Sequence, residues 1–493
     1  MKALPGAKRR LARSSLAAVL AAAAALAGCA AVGPDFARPH ASAAAGYAGR
    51  GDRAPAGPRI VSADPPAGAW WLNFGAPELD ATMRQALADS PGLDEADATL
   101  AQAREALNAA RGGLLPHADL NAGLQRERFN PAAFGFSGFP SPTVNLYSVG
   151  GAVSYDLDLF GGQKRTVEAA SARAEAQARR ADAAYLTITG NVGLEAVQIA
   201  AVRAQIAAAQ SVVEDDRRTL ALLRKAVQLG GAAPTSGIGA EAQLAADLAV
   251  LPALEQELAR HRHALSLLVG KSPAEFSAPD FDLARLSLPG EIPVSVPSSL
   301  IRRRPDILAV EADLHAATAQ IGVETARLYP DIRLTAGLTQ TALQPQNIFK
   351  YSSSAWNFGS GLSAPLFHGG TLKANRGAAA AAAEAASARY QQTVLRAFVE
   401  VSDALAALAN DQDAIAAQKR ALSVAEADLK DSRTALNLGV GTLLLVLDSQ
   451  RRVDVARRGL AQATAQRLAD AVRLYVATAA DWRVAGTRAA DRP

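Results

Sequence analysis

The residue types that most often carry catalysis or bind metals are few in this sequence and scattered along it. Of 493 residues, six are histidine and one is cysteine. The sequence has no His-Glu-x-x-His pair, no P-loop and no dinucleotide-binding glycine pattern. Asp156 and Asp158 would share one face of a predicted strand, where two carboxylates can serve hydrolysis or line a wet surface. We predict no catalytic residue, no metal site, no cofactor and no enzyme activity.

The single cysteine stands where its thiol has a use other than a disulfide. The chain opens with five basic residues and no acid, continues with an apolar run from Leu16 to Leu26, and reaches Leu26-Ala27-Gly28-Cys29. This is the order of a secretory signal peptide, and the run is too short for a membrane-spanning helix. Leu-Ala-Gly-Cys resembles a bacterial lipobox, which implies cleavage before Cys29 and acylation of that residue. Ala30 in the next position implies the outer membrane, where the acyl chains would be buried among lipids.

The apparent basicity of the chain belongs mostly to this leader. The formal net charge is +4 and the isoelectric point is near 9.2. Residues 1–28 alone carry a net charge of +5, so the mature chain without them would carry a net charge of −1. The basis for a nucleic-acid partner disappears with the leader, and we predict none.

The two halves of the mature chain repeat each other at an offset of about 210 residues, which is the sign of an internal structural repeat. A proline-dense stretch from Ser272 to Pro297 separates them. The matching motifs are Leu114-Leu115-Pro116 with Leu328-Tyr329-Pro330, Phe160-Gly161-Gly162 with Phe367-His368-Gly369-Gly370, and Leu229-Gly230 with Leu438-Gly439.

Each half also contains an apolar residue at every seventh position, which predicts a coiled-coil seam. The positions are Tyr185, Val192, Ile199, Ile206, Val213, Leu220 and Val227 in the first half, and Val394, Val401, Leu408, Ile415, Leu422, Leu429 and Leu436 in the second. A helix from Gly162 to Leu229 would be about 100 Å long. Several shorter stacked helices are the alternative. The charges Asp215, Asp216, Arg217 and Arg218 lie between seam positions, and we expect them to form a solvated face.

Four segments alternate apolar and polar residues, two in each half, and predict strands with one face of each kind. Their apolar positions are Leu120, Ala122 and Leu124; Val153, Tyr155, Leu157 and Leu159; Ile332, Leu334, Ala336 and Leu338; and Trp356, Phe358, Leu362 and Leu366. An ordinary soluble sheet remains an alternative. In a membrane, four strands cannot close a barrel, and open edges cannot lie in lipid, so several chains would share one barrel. The polar positions Asn121, Asp156, Asp158, Arg333 and Asn357 would then face its lumen.

Several motifs in this order resemble the TolC-like outer-membrane efflux channels, in particular the lipoprotein (NodT-type) branch of resistance-nodulation-division efflux systems. They are Cys29, Val32-Gly33-Pro34-Asp35-Phe36, Trp70-Trp71 with Phe74 and Leu79, and Arg302-Arg303-Arg304-Pro305-Asp306-Ile307. The resemblance implies an α+β membrane protein, a homotrimer that shares a twelve-stranded barrel and continues as a helical periplasmic tunnel. It also implies a periplasmic adaptor protein, an inner-membrane resistance-nodulation-division pump and outer-membrane lipid as partners.

The resemblance places adaptor-docking tips at two glycine turns, Leu229-Gly230-Gly231 and Leu438-Gly439-Val440, although the same residues would make an ordinary helix–turn–helix. It places Asp448 at the periplasmic gate, where three copies would meet around the pore; a solvated surface acid is the alternative. Leu445 and Ser236 stand where the family commonly has an acid, Gly441 where some members have a basic gate residue, and Pro234 is unusual in the first tip. These departures imply a more apolar gate.

The predicted organisation has five segments and one function. The segments are a signal peptide at 1–28, an acylated tether at 29–72, a first efflux repeat at 73–290, a second at 291–486, and a tail at 487–493. The predicted function is passive conduction of small toxic molecules from the pump and adaptor to the cell exterior. A lipid-anchored coiled-coil scaffold that spans the envelope without conducting is the alternative. The exported substrates cannot be identified from this chain.

Overall fold

The computed structural model describes residues 31–39, 46–47, 49, 59–62, 69–135, 138, 140–231, 233–294 and 296–479. The predicted signal peptide, Cys29 and the predicted tail lie outside the described residues. The chain divides into two compact units. The first unit combines Met1–Arg38, Leu100–Gln177 and Val310–Tyr390, and the second combines Pro39–Thr99, Ala178–Ala309 and Gln391–Pro493.

Most of the described chain is helical, and in each half two strands of one shared sheet interrupt the helices. The helices are α1 (Pro77–Asp89), α2 (Pro91–Gly112), α3 (Gly162–Gln228), α4 (Pro234–Leu248), α5 (Leu251–Leu268), α6 (Pro297–Arg303), α7 (Pro305–Ala326), α8 (Thr371–Asn437) and α9 (Leu443–Ala477). The strands are β1 (Arg59–Ser62), β2 (His117–Arg128), β3 (Thr143–Asp156), β4 (Glu291–Val294), β5 (Asp331–Ala342) and β6 (Ser354–Ser363).

The two long helices predicted from the seven-residue seam are present and uninterrupted. Helices α3 and α8 each have 67 residues, and both ends of α8 lie 209 positions after those of α3. All fourteen seam residues are buried or half-buried within the single chain. A sequence period of seven keeps one stripe of each helix against its neighbours, which explains this burial. The alternative of several shorter helices is wrong for these two segments.

In the first unit, four antiparallel strands form one sheet in the order β2-β3-β5-β6. Residues paired across strands lie on the same face, so the register sorts side chains by polarity. One row joins Leu120, Gly151, Leu338 and Trp356, and the polar residues Asn121, Asp156, Arg333 and Asn357 all lie on the opposite face. The apolar face is exposed: Leu120 is 80% and Trp356 79% accessible. The predicted alternation is thus confirmed for these positions.

Asp158 does not share that face, and the predicted position for it is wrong. Strand β3 ends at Asp156, and Asp158 lies in the following turn with φ +44°. Its carboxylate accepts hydrogen bonds from the backbone N–H groups of Gln163 and Lys164, both at 2.9 Å. Asp158 therefore caps the start of α3. The first N–H groups of a helix lack partners within the helix, and a negative charge is favourable beside them. Leu157 and Leu159 likewise follow the strand, as does Leu366 after β6.

The second unit contains a short parallel pair, β1 with β4, and an aromatic core. Trp71 and Phe74 are fully buried, and the Trp70 ring stacks on Tyr475 with centroids 5.5 Å apart. Gly193 of α3 faces Trp70 so closely that a Cβ there would lie 2.9 Å from the ring. The tryptophan motif noted in the sequence is therefore a packing element of this unit.

Two helical segments contain an 18-residue stretch apolar enough, by length and composition alone, to cross a membrane. One lies in Gly162–Gln228, where half of the stretch is buried in the single chain. The other lies in Pro234–Leu268, where most of the stretch is exposed. The first helix is explained by packing within the chain, whereas the second leaves apolar surface uncovered.

Candidate functional site

The first predicted tip closes α3 with a glycine in the left-handed conformation. Gly230 has φ +74° and donates to the carbonyl of Val227 at 3.1 Å, while Gly231 donates to Ala226 at 2.8 Å. These two bonds form a Schellman C-cap, which satisfies terminal carbonyls and requires a residue that tolerates positive φ. The chain then turns into α4, which begins at Pro234 without a side-chain cap.

The second predicted tip repeats that geometry 209 residues later. Gly439 has φ +76° and donates to Leu436 at 3.0 Å, and Val440 donates to Ala435 at 3.0 Å. Thr442 caps α9, its hydroxyl accepting from the N–H of Leu445 at 3.4 Å. A side chain at Gly441 would meet the Ala435 backbone at 2.9 Å, so a residue with a Cβ, basic or otherwise, would not fit this turn as it stands.

Apolar side chains project from both tips into solvent. Leu229, Leu438 and Val440 are each more than 70% exposed, and Ile238 and Leu444 beside them are similarly exposed. Exposed aliphatic residues grouped around glycine turns offer an apolar contact together with close approach to the backbone, which suits a protein partner. These tips belong to the second unit.

Asp448 lies one and a half turns into α9 and is half-exposed, but it is paired. It accepts a very short hydrogen bond from Arg452, which also donates to Asp428 at 3.0 Å. Ser449 donates to the same Asp428 carboxylate at 2.7 Å. Asp448 is therefore one end of a charge network between α8 and α9, and any effect of its charge on a pore is reduced by Arg452.

A buried acidic cluster around Asp216 was not predicted from the sequence. Asp216 was expected on a solvated face, and that expectation is wrong: it is 4% exposed, and Asp454 on α9 is 5% exposed. Burial, and then the neighbouring carboxyl of Asp247, raises the pKa of Asp216 to about 7. Burial also raises the pKa of Asp454, although Arg458 lies 3.1 Å away. Gln450 and Arg433 donate hydrogen bonds to Asp215, at 2.5 and 3.4 Å, instead of to Asp216.

A second buried pair joins α8 and α9 further along. Asp411 is 8% and Asp470 4% exposed. Burial, and then the charge of Asp470, raises the pKa of Asp411 to about 7. Arg473 and Gln466 donate hydrogen bonds to Asp470 at 2.5 and 2.8 Å.

We expect Asp216→Asn to stabilise the protein at alkaline pH and to stabilise it by much less in mild acid. A carboxyl whose pKa is raised by folding contributes stability below its unfolded pKa of about 3.9, and this contribution is lost as pH rises through the folded pKa near 7. At pH 8 the variant should therefore gain about 1–3 kcal/mol over the natural chain. Thermal unfolding followed by circular dichroism at pH 5 and pH 8 measures the difference.

The exposed acid Asp431 on α8 supplies a matched control for this prediction. Asp431→Asn removes the same charge and should change stability little at either pH. An Asp216→Asn variant that is equally stable or less stable at pH 8 would show that the carboxyl is not held protonated by its surroundings.

The arginine motif that precedes α7 has a structural use at its third member. Arg304 is 8% exposed and bonds Asp306 through both Nε and Nη2, at 3.0 and 2.7 Å. It also pairs with Glu400 at 2.7 Å and donates to the carbonyl of Ala477 at 3.0 Å. Burial alone would lower the pKa of Arg304, but Asp306 and Glu400 raise it above its usual range. One guanidinium thus joins α7, α8 and the end of α9.

Residues 31–38, which we call the N-terminal clasp, are held against the first unit by Arg165 of α3. Arg165 is 4% exposed and donates to the carbonyls of Ala31, Val32 and Gly33 at 3.2–3.4 Å and to Asp35 at 2.7 Å. Phe36 stacks on His315 with centroids 4.4 Å apart. Gly33, at φ +95°, lies so close to Gly322 that a Cβ would be 2.5 Å from its Cα.

Two further features of the sequence contribute no site among the described residues. Cys29, the predicted acylation site, lies outside the described residues. His261 and His263 do not form a pair; His261 instead contacts Glu195 at 2.8 Å. Within the described ranges, no group of three or more histidine, cysteine, aspartate or glutamate side chains is arranged to hold a metal ion.

Comparisons with known proteins relate both halves of the chain to one set of proteins. The sequence model described as outer membrane efflux protein matches residues 82–271 and 296–480. The pyoverdine export outer membrane protein OpmQ of Pseudomonas aeruginosa is 30% identical over 84% of this chain and 87% of its own. The probable outer membrane lipoprotein SilC of Salmonella typhimurium is 26% identical over 93% and 96%. The solved outer-membrane channel OprN superposes with a TM-score of 0.83 at 26% identity, covering 92% of this chain and 99% of that one.

Proposed function

Since the chain belongs to the outer membrane efflux protein family, we propose that it is the outer-membrane channel of a tripartite efflux pump. In this proposal a homotrimer builds one twelve-stranded barrel, and small toxic molecules pass through it without energy from the channel. A periplasmic adaptor protein and an inner-membrane resistance-nodulation-division pump deliver the cargo. Acylation of Cys29 adds a lipid anchor in the outer membrane, as the lipoprotein name of the relative SilC supports.

The observation that carries this proposal is the four-stranded sheet of the first unit. Its apolar face is exposed, with Leu120, Val153, Leu338, Trp356 and Phe358 between 43% and 80% accessible. A surface of this kind is unfavourable in water and suits the hydrocarbon of a bilayer. Strands β2 and β6 are unpaired edges within the chain. In lipid their free backbone groups need partners, which a second copy of the chain supplies.

The second unit supports an oligomer independently. The apolar stretch within Pro234–Leu268 is mostly exposed in the single chain. Neighbouring helices from other copies would bury this surface, as helices do in bundles. The exposed aliphatic tips around Gly230 and Gly439 are then left for the adaptor.

Cysteine cross-linking tests whether strand edges from different copies meet. Within one chain β2 and β6 are three strand spacings apart, about 14 Å, which is beyond the reach of a disulfide. We would pair a cysteine at Asn121 of β2 with one at Ala355, Asn357 or Gly359 of β6, because all four share the polar face. A ladder ending at a covalent trimer is the expected result. A chain that stays monomeric with every pair would contradict the shared barrel, whereas each single-cysteine control should give no covalent trimer in either case.

Conductance separates the channel from the alternative, a lipid-anchored scaffold that spans the envelope without conducting. The purified trimer in planar bilayers should pass ions, whereas a scaffold should not. Deleting the gene should sensitise cells to toxic compounds, and complementation should restore resistance to those that the pump exports. Normal resistance in the deletion strain, combined with silent bilayers, would favour the scaffold.

We predict that Asp448→Asn raises the conductance of the resting channel and weakens its response to cations. Three carboxylates around a narrow entrance would hold cations that obstruct it, and their loss also removes one of the two acids that hold Arg452, the other being Asp428. Because the Debye length shrinks from about 10 Å at 0.1 M salt to about 3 Å at 1 M, the change should be larger at low salt. Single-channel recordings at both concentrations measure it.

Glu426→Gln is a matched control for this prediction, since Glu426 also pairs with an arginine of α9, Arg457, at 3.0 Å. It should leave conductance unchanged. If Asp448→Asn behaves like this control at both salt concentrations, Asp448 is a surface acid without a role in gating.

A further inference from the structure

The outer end of strand β2 carries two arginines on the face that is otherwise apolar. Alternate residues of this face run Ala118, Leu120, Ala122 and Leu124, and then Arg126 and Arg128. The register places Arg126 opposite Asn145 and Arg128 opposite Thr143 of β3, so an amide and a hydroxyl flank the two guanidinium groups. Neighbouring side chains on one face of a strand are about 7 Å apart.

These four polar side chains are exposed, and none is used inside the chain. Over the described residues, Arg126, Arg128, Asn145 and Thr143 make no side-chain hydrogen bond or ion pair. The other face of the same strand behaves differently, since Gln125 donates to Glu127 at 3.0 Å. Arg333 on the polar face of β5 is also paired, with Asp156 at 2.6 Å. The arginines of the apolar face are thus distinguished by having no internal partner.

Their position along the strand defines what surrounds them in the proposed barrel, on which this inference rests. The helices connect to the ends of the sheet at His117, Asp156, Asp331 and Ser363, so the loop-bearing ends near Arg128 and Thr143 point away from the periplasm. An arginine on the lipid face is strongly unfavourable at the bilayer midplane but tolerated near an interface. Arg126 and Arg128 therefore belong at the level of the outer-leaflet headgroups.

We propose that Arg126 and Arg128, with Asn145 and Thr143, form a binding site for the phosphate groups of lipid A in the outer leaflet. Guanidinium groups bind phosphate through two parallel, charge-assisted hydrogen bonds, and the flanking amide and hydroxyl supply further donors. Leu124 and Leu120 continue the same face toward the membrane centre, where they meet the acyl chains of the same lipid. The occupant is thus matched in both its charged and its apolar part.

Lipid binding by the full chain in detergent tests this site, with native mass spectrometry as the readout. The probes are lipid A, enzymatically dephosphorylated lipid A and inorganic phosphate. We expect the natural chain to prefer lipid A over both other probes. The double variant R126Q/R128Q should raise the Kd for lipid A by roughly thirtyfold, since each arginine near a charged membrane surface contributes about 1 kcal/mol. The variant R126K/R128K should lose less, because lysine keeps the charge.

A matched control removes two exposed arginines from helices. The variant R104Q/R420Q loses the same charge from α2 and α8 and should bind lipid A like the natural chain. Equal loss in this control, equal binding of dephosphorylated lipid A, or binding of inorganic phosphate as tight as that of lipid A would each overturn the site. Conductance recorded on the same samples separates a failure of the lipid site from a failure of the proposed channel. A conducting trimer without lipid A preference defeats this inference alone, whereas a chain that neither trimerises nor conducts defeats the proposed channel.

Discussion

Replacing Arg304 with alanine should destabilise the folded protein by about 3 kcal/mol, more than any other single change in the arginine motif. The guanidinium is buried and makes bonds to Asp306, Glu400 and the carbonyl of Ala477. Its removal leaves two carboxylates without their counter-charge and a helix-terminal carbonyl without its donor. Thermal unfolding followed by circular dichroism, at fixed protein and detergent concentration, measures the loss.

Arg302→Ala is the matched control, since Arg302 belongs to the same motif but is exposed. It should change stability by no more than about 0.5 kcal/mol. Arg304→Lys separates geometry from charge, because a lysine keeps the charge but cannot bond Asp306 with two nitrogens. It should fall between the natural chain and alanine. If Arg304→Ala and Arg302→Ala unfold at the same temperature, Arg304 does not hold α7, α8 and the end of α9 together.

The long helices and the faces of the sheet could be predicted because each depends on a regular period in the sequence. A residue repeated every seven positions determined which stripe of α3 and α8 is buried. Alternation over ten or more residues likewise determined which residues of β2, β3, β5 and β6 share a face. Both signals are local and are repeated many times, so no single exception hides them.

The buried acids were missed because only one of the two positions of the heptad was followed. A coiled-coil seam uses a second position three residues after the first. Asp216 follows Val213 by three, and Asp411 follows Leu408 by three, so both acids occupy this second position. A polar residue there was a signal in the sequence. The acids beside Asp216 and Asp411 are Asp247, Asp454 and Asp470. They come from other helices, and no local pattern reveals such pairings.

Asp158 and the clasp show two other limits of prediction. Alternation continues through Asp158 in the sequence, but a turn residue with positive φ and a helix start take precedence over the strand. The motif Val32-Gly33-Pro34-Asp35-Phe36 was noted within the predicted tether at 29–72, without a structural role for it. Its partner Arg165 lies 130 residues beyond Asp35, so only the folded chain reveals the contact.

Replacing Arg165 with alanine should release the N-terminal clasp from the first unit. Its guanidinium accounts for four of the bonds that hold residues 31–35, and a further one reaches Glu168 at 2.7 Å. Without it three carbonyl groups lose their donor, which costs about 3 kcal/mol in total when each net hydrogen bond contributes about 1 kcal/mol. Amide hydrogen exchange of the clasp should then accelerate by roughly a hundredfold, since about 1.4 kcal/mol is a factor of ten.

The comparison with Lys164→Ala makes this prediction specific. Lys164 is the exposed neighbour of Arg165 on α3, and its loss should leave exchange in the clasp unchanged. The clasp closely follows the predicted acylation site, so it would couple the lipid anchor to the turn between β3 and α3, where Val32 donates to the carbonyl of Phe160 at 3.0 Å. Arg165→Ala should therefore also slow assembly of the proposed trimer in membranes while leaving the helices of the second unit folded. Unchanged exchange and unchanged assembly would mean that the stacking of Phe36 on His315 and the pairing of Arg38 with Glu311 are sufficient to hold the clasp.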